Sequence, residues 1–426
     1  MKLDYKRTVL VGLAFMTISA FWQLYNNEIP LMLEDLIGKR DFIINIIMTL
    51  DNLSALVLLP ILGMLSDRTH TRFGKRMPYI LVGTILSVIF MLLIPLSHSR
   101  RIVPLFFVGV VGVLLSMSLY RSPAVALMPD VTPKPLRSKG NAIINLMGAV
   151  GIIFVQALTP VLGGEKNYSL LFICVAAFMM VSLAVMFVTV NENQLVSLMP
   201  PDEETEEERR AREGKGVKMH DSVLKSLIFL LLSVFLWYMA YSAVETNYSR
   251  YAEDVWGLIE GEYTKPMLFG SIVALISFVP LGMLSGKLGR KKTVLLGVGV
   301  LFVAVAITSF LTWYTPFLYV VFALIGVSWA AINVNSYPMV VEMSKGADVG
   351  KYTGLYYTFS MVAQVLTPLV TGLLFDLLNT RKVLFPYAAA FLLIAFVTML
   401  FVKHGDNREE PVHTAEASVD EKQPEC

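Results

Sequence analysis

The chain has 426 residues, 55% of them hydrophobic and only 16% charged, with a formal net charge of +2 and a mean hydropathy of +0.64. Soluble domains carry about 25% charged residues, so this composition excludes an ordinary soluble domain, and the near-neutral charge gives nucleic-acid binding no support. Two cysteines, Cys174 inside an apolar run and Cys426 at the last position, exclude a disulfide framework.

A bilayer crossing needs about 20 apolar residues. Such runs occur near 8–33, 42–65, 78–97, 102–128, 140–163 and 168–190, and again near 224–248, 266–286, 293–312, 315–341, 352–376 and 383–403. The expected fold is therefore an all-α membrane protein of twelve transmembrane helices in two six-helix bundles. The first bundle covers 1–190 and the second 224–403. The first run is too long, and lacks the small-residue site, for a cleavable signal peptide. Between the sets, 191–223 reads as a soluble linker. Its core, DEETEEERRAREGKG, suits a solvated helix with the pairs Glu206–Arg210 and Glu208–Arg212. The polar tail 404–426 reads as disordered.

The stretch from Gly63 to Pro78, GMLSDRTHTRFGKRMP, joins the second and third runs by a loop short enough to make them antiparallel neighbours. Arg68, Arg72, Lys75 and Arg76 crowd into it, Gly63 permits close helix packing, and Gly74 permits a turn other residues resist. With both termini placed in the cytoplasm, 25 of the 35 lysines and arginines fall on the cytoplasmic side and nine in outer loops, among them Lys39, Arg250 and Arg381. That excess predicts an amino terminus inside a plasma membrane.

The two sets also repeat one another. GMLSD at 63–67 recurs as GMLSG at 282–286, and each leads into a basic loop. QALTP at 156–160 recurs as QVLTP at 364–368, each following an acid near a cytoplasmic helix end, Asp130 and Glu342. Matches in the same order at the same helix ranks indicate duplicated halves, an architecture of transporters with the site at the repeat interface.

A charge at the bilayer centre costs about 2.5–3.5 kcal/mol on insertion scales, so polar residues inside the spans are candidates for function. Arg121 lies well inside the fourth span. Glu28 lies in the outer third of the first, where Gln23, Asn26, Asn27 and Pro30 share a face. Asp51 and Asn52 occupy the second span, Glu245 and Asn247 the seventh, and Asn333 and Asn335 the tenth. Gln156 and Gln364, from the repeated motif, complete the polar set. A water-filled cavity between the halves would let Glu28, Arg121 and Glu245 face one another, Arg121 balancing acids whose protonation responds to substrate or cation. The plainer reading is that Glu28, Asp51 and Glu245 reach the outer interface and are hydrated. Trp22, Tyr25, Tyr238, Tyr241, Trp329 and Tyr337 suit stacking on a sugar face, although Trp and Tyr also favour membrane interfaces. Trp329, four residues before Asn333, is the leading aromatic candidate.

Enzyme motifs are missing. The five histidines are read as lying in loops or the tail, so no buried metal or haem site is expected. No phosphate-binding glycine loop with its Lys-Ser/Thr is present, against an ATP-driven pump.

Asp67-Arg68 followed by RFGKR at 72–76 resembles the loop between helices 2 and 3 of the major facilitator superfamily. The longer string from Pro60 to Pro78 looks like the sucrose–proton symporters and, with them, the glycoside–pentoside–hexuronide cation symporters. The resemblance implies gating roles for Gly63, Asp67, Arg68, Arg72, Gly74 and Arg76. Asp67 would latch the halves beside the amino end of the eleventh helix, where a helix dipole favours a carboxylate. Aligned on Pro123, the helix-4 arginine and acid of the plant symporters fall on Val125 and Leu114, so Arg121 would replace the arginine and Glu28 or Glu245 would supply the coupling charge. The expectation is a monomeric secondary transporter without a cofactor, moving a sugar or glycoside with H⁺ or Na⁺ by alternating access. The alternatives are an efflux carrier for amphipathic compounds and a membrane sensor that has kept the fold.

Overall fold

The computed structural model describes residues 4–133, 136–163, 168–199, 220–343 and 349–406. Among them all regular structure is helical, and twelve helices are long and apolar enough to cross a membrane. They are α1 (Tyr5–Ile37), α2 (Asp41–Asp67), α3 (Met77–Ser99), α4 (Val103–Asp130), α5 (Arg137–Leu162) and α6 (Tyr168–Thr189), then α7 (Asp221–Trp256), α8 (Thr264–Leu288), α9 (Arg290–Thr308), α10 (Phe317–Met343), α11 (Val349–Leu378) and α12 (Leu384–Leu400). Each matches one predicted run. The main difference is α7, which continues to Trp256 and ends on Gly257 in the left-handed region (φ 67). The charge of Arg250 suggested a loop; burial with acceptors from the other half lets the helix continue through it.

Packing repeats between the halves. In the first, α1 packs on α5 and α6, α4 on α2 and α3, and α3 on α6; in the second, α7 packs on α11 and α12, α10 on α8 and α9, and α9 on α12. Each half has its own buried core, one around Phe21, Phe106 and Phe172, the other around Trp237, Tyr251 and Phe385. Glycines set the closest crossings: a Cβ on Gly83 would meet Tyr120 at 2.8 Å, and one on Gly326 would meet the Gly270 carbonyl at 2.2 Å. Between the halves α2 packs on α11, α5 on α8 and α1 on α7. The first two seams are images of each other under the repeat. The face where the described chain begins and ends is called here the terminal face; the other is the opposite face.

At the terminal face the basic hairpin is a built structure. Arg76 is buried, donates from Nε to Asp130 at 2.9 Å, and also reaches Asp67 and the Ser66 hydroxyl. Lys75 pairs with Asp130 at 3.1 Å. The second half carries the equivalent pair, Arg290 with Glu342 at 3.8 Å. Asp67 thus engages Arg76 of its own half; no contact with α11 is present among the described residues, so the expected latch is not formed in this conformation. The carboxylate is 57% exposed and free to engage another partner. Arg68 and Arg72 are exposed, Arg72 lying over the Phe73 ring.

The predicted linker begins as structure. Asn191 caps a short helix, Glu192–Ser197, and the buried Glu192 carboxylate accepts the backbone N–H groups of Lys75, Arg76 and Met77 at 2.9–3.0 Å. It closes the amino terminus of α3, where donors lack helical partners. Gly74 has φ +113 and a Cβ there would lie 2.2 Å from Glu192, so both the turn and the seat require glycine. At the start of α9 a Cβ on Gly289 (φ +94) would likewise stand 2.5 Å from the Asp406 carboxylate, whose Oδ1 is buried without a hydrogen-bond partner among the described residues. The charged linker core with its two predicted pairs, and the tail beyond Asp406, lie outside the described residues. Replacing Glu192 by Ala orphans three backbone donors and should lower stability by about 1–3 kcal/mol. Thermal unfolding of the detergent-solubilised protein should show a lower Tm for Glu192→Ala, with Glu192→Gln intermediate because it keeps an acceptor.

Candidate functional site

The halves are held together at the opposite face by buried charge. Arg250 of α7 is 0% exposed. It donates to Asp41 of α2 at 2.6 Å, to Asn247 at 2.6 Å and to Asn45 of α2 at 2.5 Å. Asp41 also accepts from Arg381 at 3.0 Å, and Arg381 donates to Glu34 of α1 at 2.6 Å. The Asp376 carboxylate, from the end of α11, accepts the backbone N–H groups of Asp41 and Phe42 at 3.1 Å each, capping α2 from the other half. Below this, Asn45 donates to the Pro368 carbonyl and to the Thr371 hydroxyl. On the α5–α8 seam the Thr264 hydroxyl donates to the Gln156 carbonyl at 3.0 Å. Both copies of the repeated Gln-x-Leu-Thr-Pro motif therefore supply a backbone carbonyl to the opposing half.

Deeper, about ten residues along α2 and so roughly 15 Å from Asp41, lies a second polar group. Asn26 of α1 reaches Glu245 of α7 across the halves at 3.4 Å, and the Tyr241 hydroxyl donates to the same carboxylate oxygen at 3.4 Å. Tyr241 stacks flat on Trp329 of α10, with ring centroids 4.0 Å apart, and Tyr238 meets Trp329 edge-on. On the first half the Arg121 guanidinium lies 5.8 Å over the Trp22 ring and interacts electrostatically with Asp51, which in turn acts on Glu245. Trp22, Gln23, Asn26, Asp51, Asn52, Arg121, Tyr241, Glu245 and Trp329 are all half-buried. Partly accessible polar side chains at mid-helix, linked across two bundles, line the space between them.

The structure sorts the sequence candidates into three places. Arg121, Glu245, Asp51, Asn26, Trp329 and Tyr241 come together at mid-bundle. Gln23 and Asn52 lie alongside them on α1 and α2. Glu28 does not join Arg121 and Glu245 as expected; it is buried at the seam, where the Tyr263 hydroxyl donates to it at 2.7 Å. Asn247 and Gln156 belong to the seams and not to the central group. Asn27 and Asn335 are buried, and the Asn335 amide bonds back to Ala331 of its own helix. Asn333 and Gln364 likewise bond to their own helices, at Trp329 and Ser360. His98, read as a loop residue, is buried near the end of α3 with Nε2 3.2 Å from Asp35. No group of three or more His, Cys, Asp or Glu among the described residues is placed to hold a metal ion.

Sequence reasoning missed the seam charges Glu34, Asp41, Arg250, Asp376 and Arg381. Their signal was present, since acids and arginines of opposite sign mark helix ends on one face. Which end meets which is a matter of how the bundles dock.

The model of the Major Facilitator Superfamily matches residues 11–335 and 266–424. This chain belongs to that superfamily. As a superfamily member it is an integral membrane transporter and not an enzyme. An uncharacterized MFS-type transporter of Methanocaldococcus jannaschii is 24% identical over 378 residues, covering 86% of this chain and 84% of that protein. The isoprimeverose transporter of Lactiplantibacillus pentosus is 22% identical over 67% of this chain and 59% of its own length. Multidrug resistance protein 2 of Bacillus subtilis is 23% identical over 76% of this chain and 78% of its own length. The fold is shared with a bacterial homologue of the iron transporter ferroportin solved in an inward-facing state, with TM-score 0.69, 17% identity, and 95% and 100% of the two chains covered.

In this superfamily member the α2–α11 seam closes on a glycine. A Cβ at Gly372 would stand 2.8 Å from the Phe42 Cα and 3.0 Å from the Asp41 carbonyl. Gly372→Leu should therefore keep the opposite face open. A maleimide reaction at a cysteine placed at Phe42 should run at least tenfold faster than with Gly372 intact.

Proposed function

We propose that the chain is a cation-coupled secondary transporter for a sugar or glycoside, working by alternating access with both termini in the cytoplasm. The solute binds at mid-bundle, between Trp22, Asn26, Asp51 and Arg121 of the first half and Tyr241, Glu245 and Trp329 of the second. The observation that carries this reading is the Tyr241–Trp329 stack beside a carboxylate and an amide from opposite halves. A flat aromatic platform accepts the apolar face of a pyranose, while carboxylate, amide and guanidinium take its hydroxyls. A contact such as Asn26–Glu245 crosses the halves, so a solute that takes over those bonds acts on their relative position. Glu245 and Asp51 are the acids through which H⁺ or Na⁺ enters the cycle, with Arg121 as the fixed counter-charge. Of the relatives, the isoprimeverose transporter supports the sugar reading.

The conformation fits one half of such a cycle. The cross-half bonds lie at the opposite face and at mid-bundle, while at the terminal face Asp67 is exposed and Gly286 and Gly354 have nothing within 4 Å of a built Cβ. With the terminal face cytoplasmic, this is the inward-open form, and Asp67 closes the cycle's other form by leaving Arg76 for a partner on α11.

The likeness to a multidrug resistance protein favours a second reading, expulsion of amphipathic compounds, which the same experiment separates. In proteoliposomes holding the full chain, a labelled glycoside panel should accumulate under an imposed pH or Na⁺ gradient. Gradient-driven expulsion of a hydrophobic dye without glycoside uptake favours the second reading. Arg121→Ala should reduce uptake at least a hundredfold while leaving membrane insertion intact; normal uptake removes Arg121 from the mechanism. Glu245→Gln should flatten the pH dependence of gradient-driven uptake while sparing solute exchange, and an unchanged pH profile excludes Glu245 as the coupling acid.

A further inference from the structure

The rings of the mid-bundle group are held from behind. Tyr241 and Trp329 lie within 4° of parallel, and Tyr238, about one turn nearer the terminal face on α7, stands at 80° to the first and 81° to the second. It meets both members of the stack edge to face, at 6.3 and 5.7 Å, an arrangement aromatic pairs favour. Tyr238 in turn meets Tyr356 of α11, and the two hydroxyls share a hydrogen bond. Tyr356 is 5% exposed, and its hydroxyl also lies 3.0 Å from that of Ser336 of α10, itself wholly buried. Its ring is boxed by Tyr337 of α10 at 5.7 Å and by Tyr357 at 5.5 Å. Side chains from α7, α10 and α11 therefore converge on one phenol. The line Ser336–Tyr356–Tyr238 runs from the core of the second half to the aromatic platform.

The repeat shows what the same place holds in the first half. The GMLS copies at 63 and 282 stand 219 residues apart, and the Gln-x-Leu-Thr-Pro copies at 156 and 364 stand 208 apart. The first spacing carries Ser19 of α1 onto Tyr238, Trp22 onto Tyr241 and Asn26 onto Glu245. The second carries Gly148 of α5 onto Tyr356. Both registers agree with the contacts. Asn26 and Glu245 touch across the halves, as residues related by a twofold axis do where they meet at it. A Cβ on Gly148 would stand 2.9 Å from the Ser19 hydroxyl, so the equivalents of Tyr356 and Tyr238 also adjoin. A serine and a glycine satisfy helix packing there. Two phenols in the second half add a ring against the platform and a hydrogen bond that fixes it.

We propose that Tyr356 is a positioning residue for the solute platform, holding Tyr238 so that Trp329 and Tyr241 stay parallel before the solute arrives. The inference rests on the reading of that stack as the solute's seat. Trp329 and Tyr241 are half-buried, and a ring beside open space has other staggered rotamers within reach. A ring free to turn must be ordered by the solute at a cost in affinity, whereas one fixed by buried neighbours is ordered already. Tyr356 is itself buried, so it acts on binding through these rings and not by touching the solute.

The first test needs no solute. The full chain, its five tryptophans replaced biosynthetically by fluorotryptophan, is placed in lipid nanodiscs and its fluorine NMR spectrum is recorded. The Trp329 line is the one that Trp329→Phe removes. Tyr356→Phe keeps the ring and deletes the hydroxyl. It should shift or broaden the Trp329 line and leave those of Trp22, Trp256 and Trp313 in place. Tyr238→Phe should do the same, and the double variant no more than either single one, since both remove one bond. In proteoliposomes, with a glycoside that the unmodified chain takes up, Tyr356→Phe should raise KM about five- to tenfold with kcat held within about twofold. A Trp329 line that stays in place in Tyr356→Phe overturns the proposal whatever the chain carries, and so does an unchanged KM beside a shifted line. A shifted line in a chain that takes up no glycoside supports the positioning role and counts only against the sugar reading.

Discussion

The arrangement depends first on the burial of Arg250 with Asp41. A guanidinium wholly removed from water is destabilising by several kcal/mol unless its donors are met. Two of its acceptors, Asp41 and Asn45, belong to the other half of the molecule. Arg381 and Glu34 extend the same cluster, and Asp376 fastens the amino end of α2. The charges are satisfied only when α2 and α11 are fully seated, so partial opening would strand them. Such a seam favours two discrete positions, closed and hydrated, over a continuum.

The same logic runs through the repeat. Each half turns its Gln-x-Leu-Thr-Pro helix toward the other and offers a carbonyl: that of Gln156, which Pro160 leaves without its usual helical donor, in the first, and that of Pro368 in the second. In each half an acid a few residues after the sixth helix lies against a glycine of positive φ, Glu192 on Gly74 and Asp406 on Gly289. Glu192 ties the segment after α6 to the amino end of α3. Rigid halves and two matched seams are what a rocking motion about a central site requires. The halves differ where the first has Asp67 and the second Gly286, so the repeat carries one acid at this position and not two.

Between the seams and the hairpins lies the mid-bundle group, where charge is sparse. Arg121 and Asp51 balance within one half, and Glu245 faces them from the other beside its aromatic platform. The group is half-buried and not sealed, unlike the seam. The mid-bundle side chains stay partly accessible, whereas the seam groups are sealed against one another.

Much of this is legible in the sequence. Twelve apolar runs fix twelve helices, because no backbone polar group can go unpaired in lipid. The recurrence of GMLSD and QALTP shows the duplication, and the free-energy cost of placing Arg121 inside a span marks it as a functional candidate from hydropathy alone. Glu245 and Trp329 stand out too, through polarity and aromatic character inside a span. The sequence could not assign Arg250 and Arg381, which look like loop cations until the acids they meet are known. It could not separate Glu28 from Glu245, two glutamates in similar spans with opposite surroundings. Hydropathy is a property of each segment by itself, and it determined the helices and their number. The partner of a charge is a property of how the two bundles dock, and only the tertiary structure decided which acids are buried in the seam and which stay partly accessible at mid-bundle.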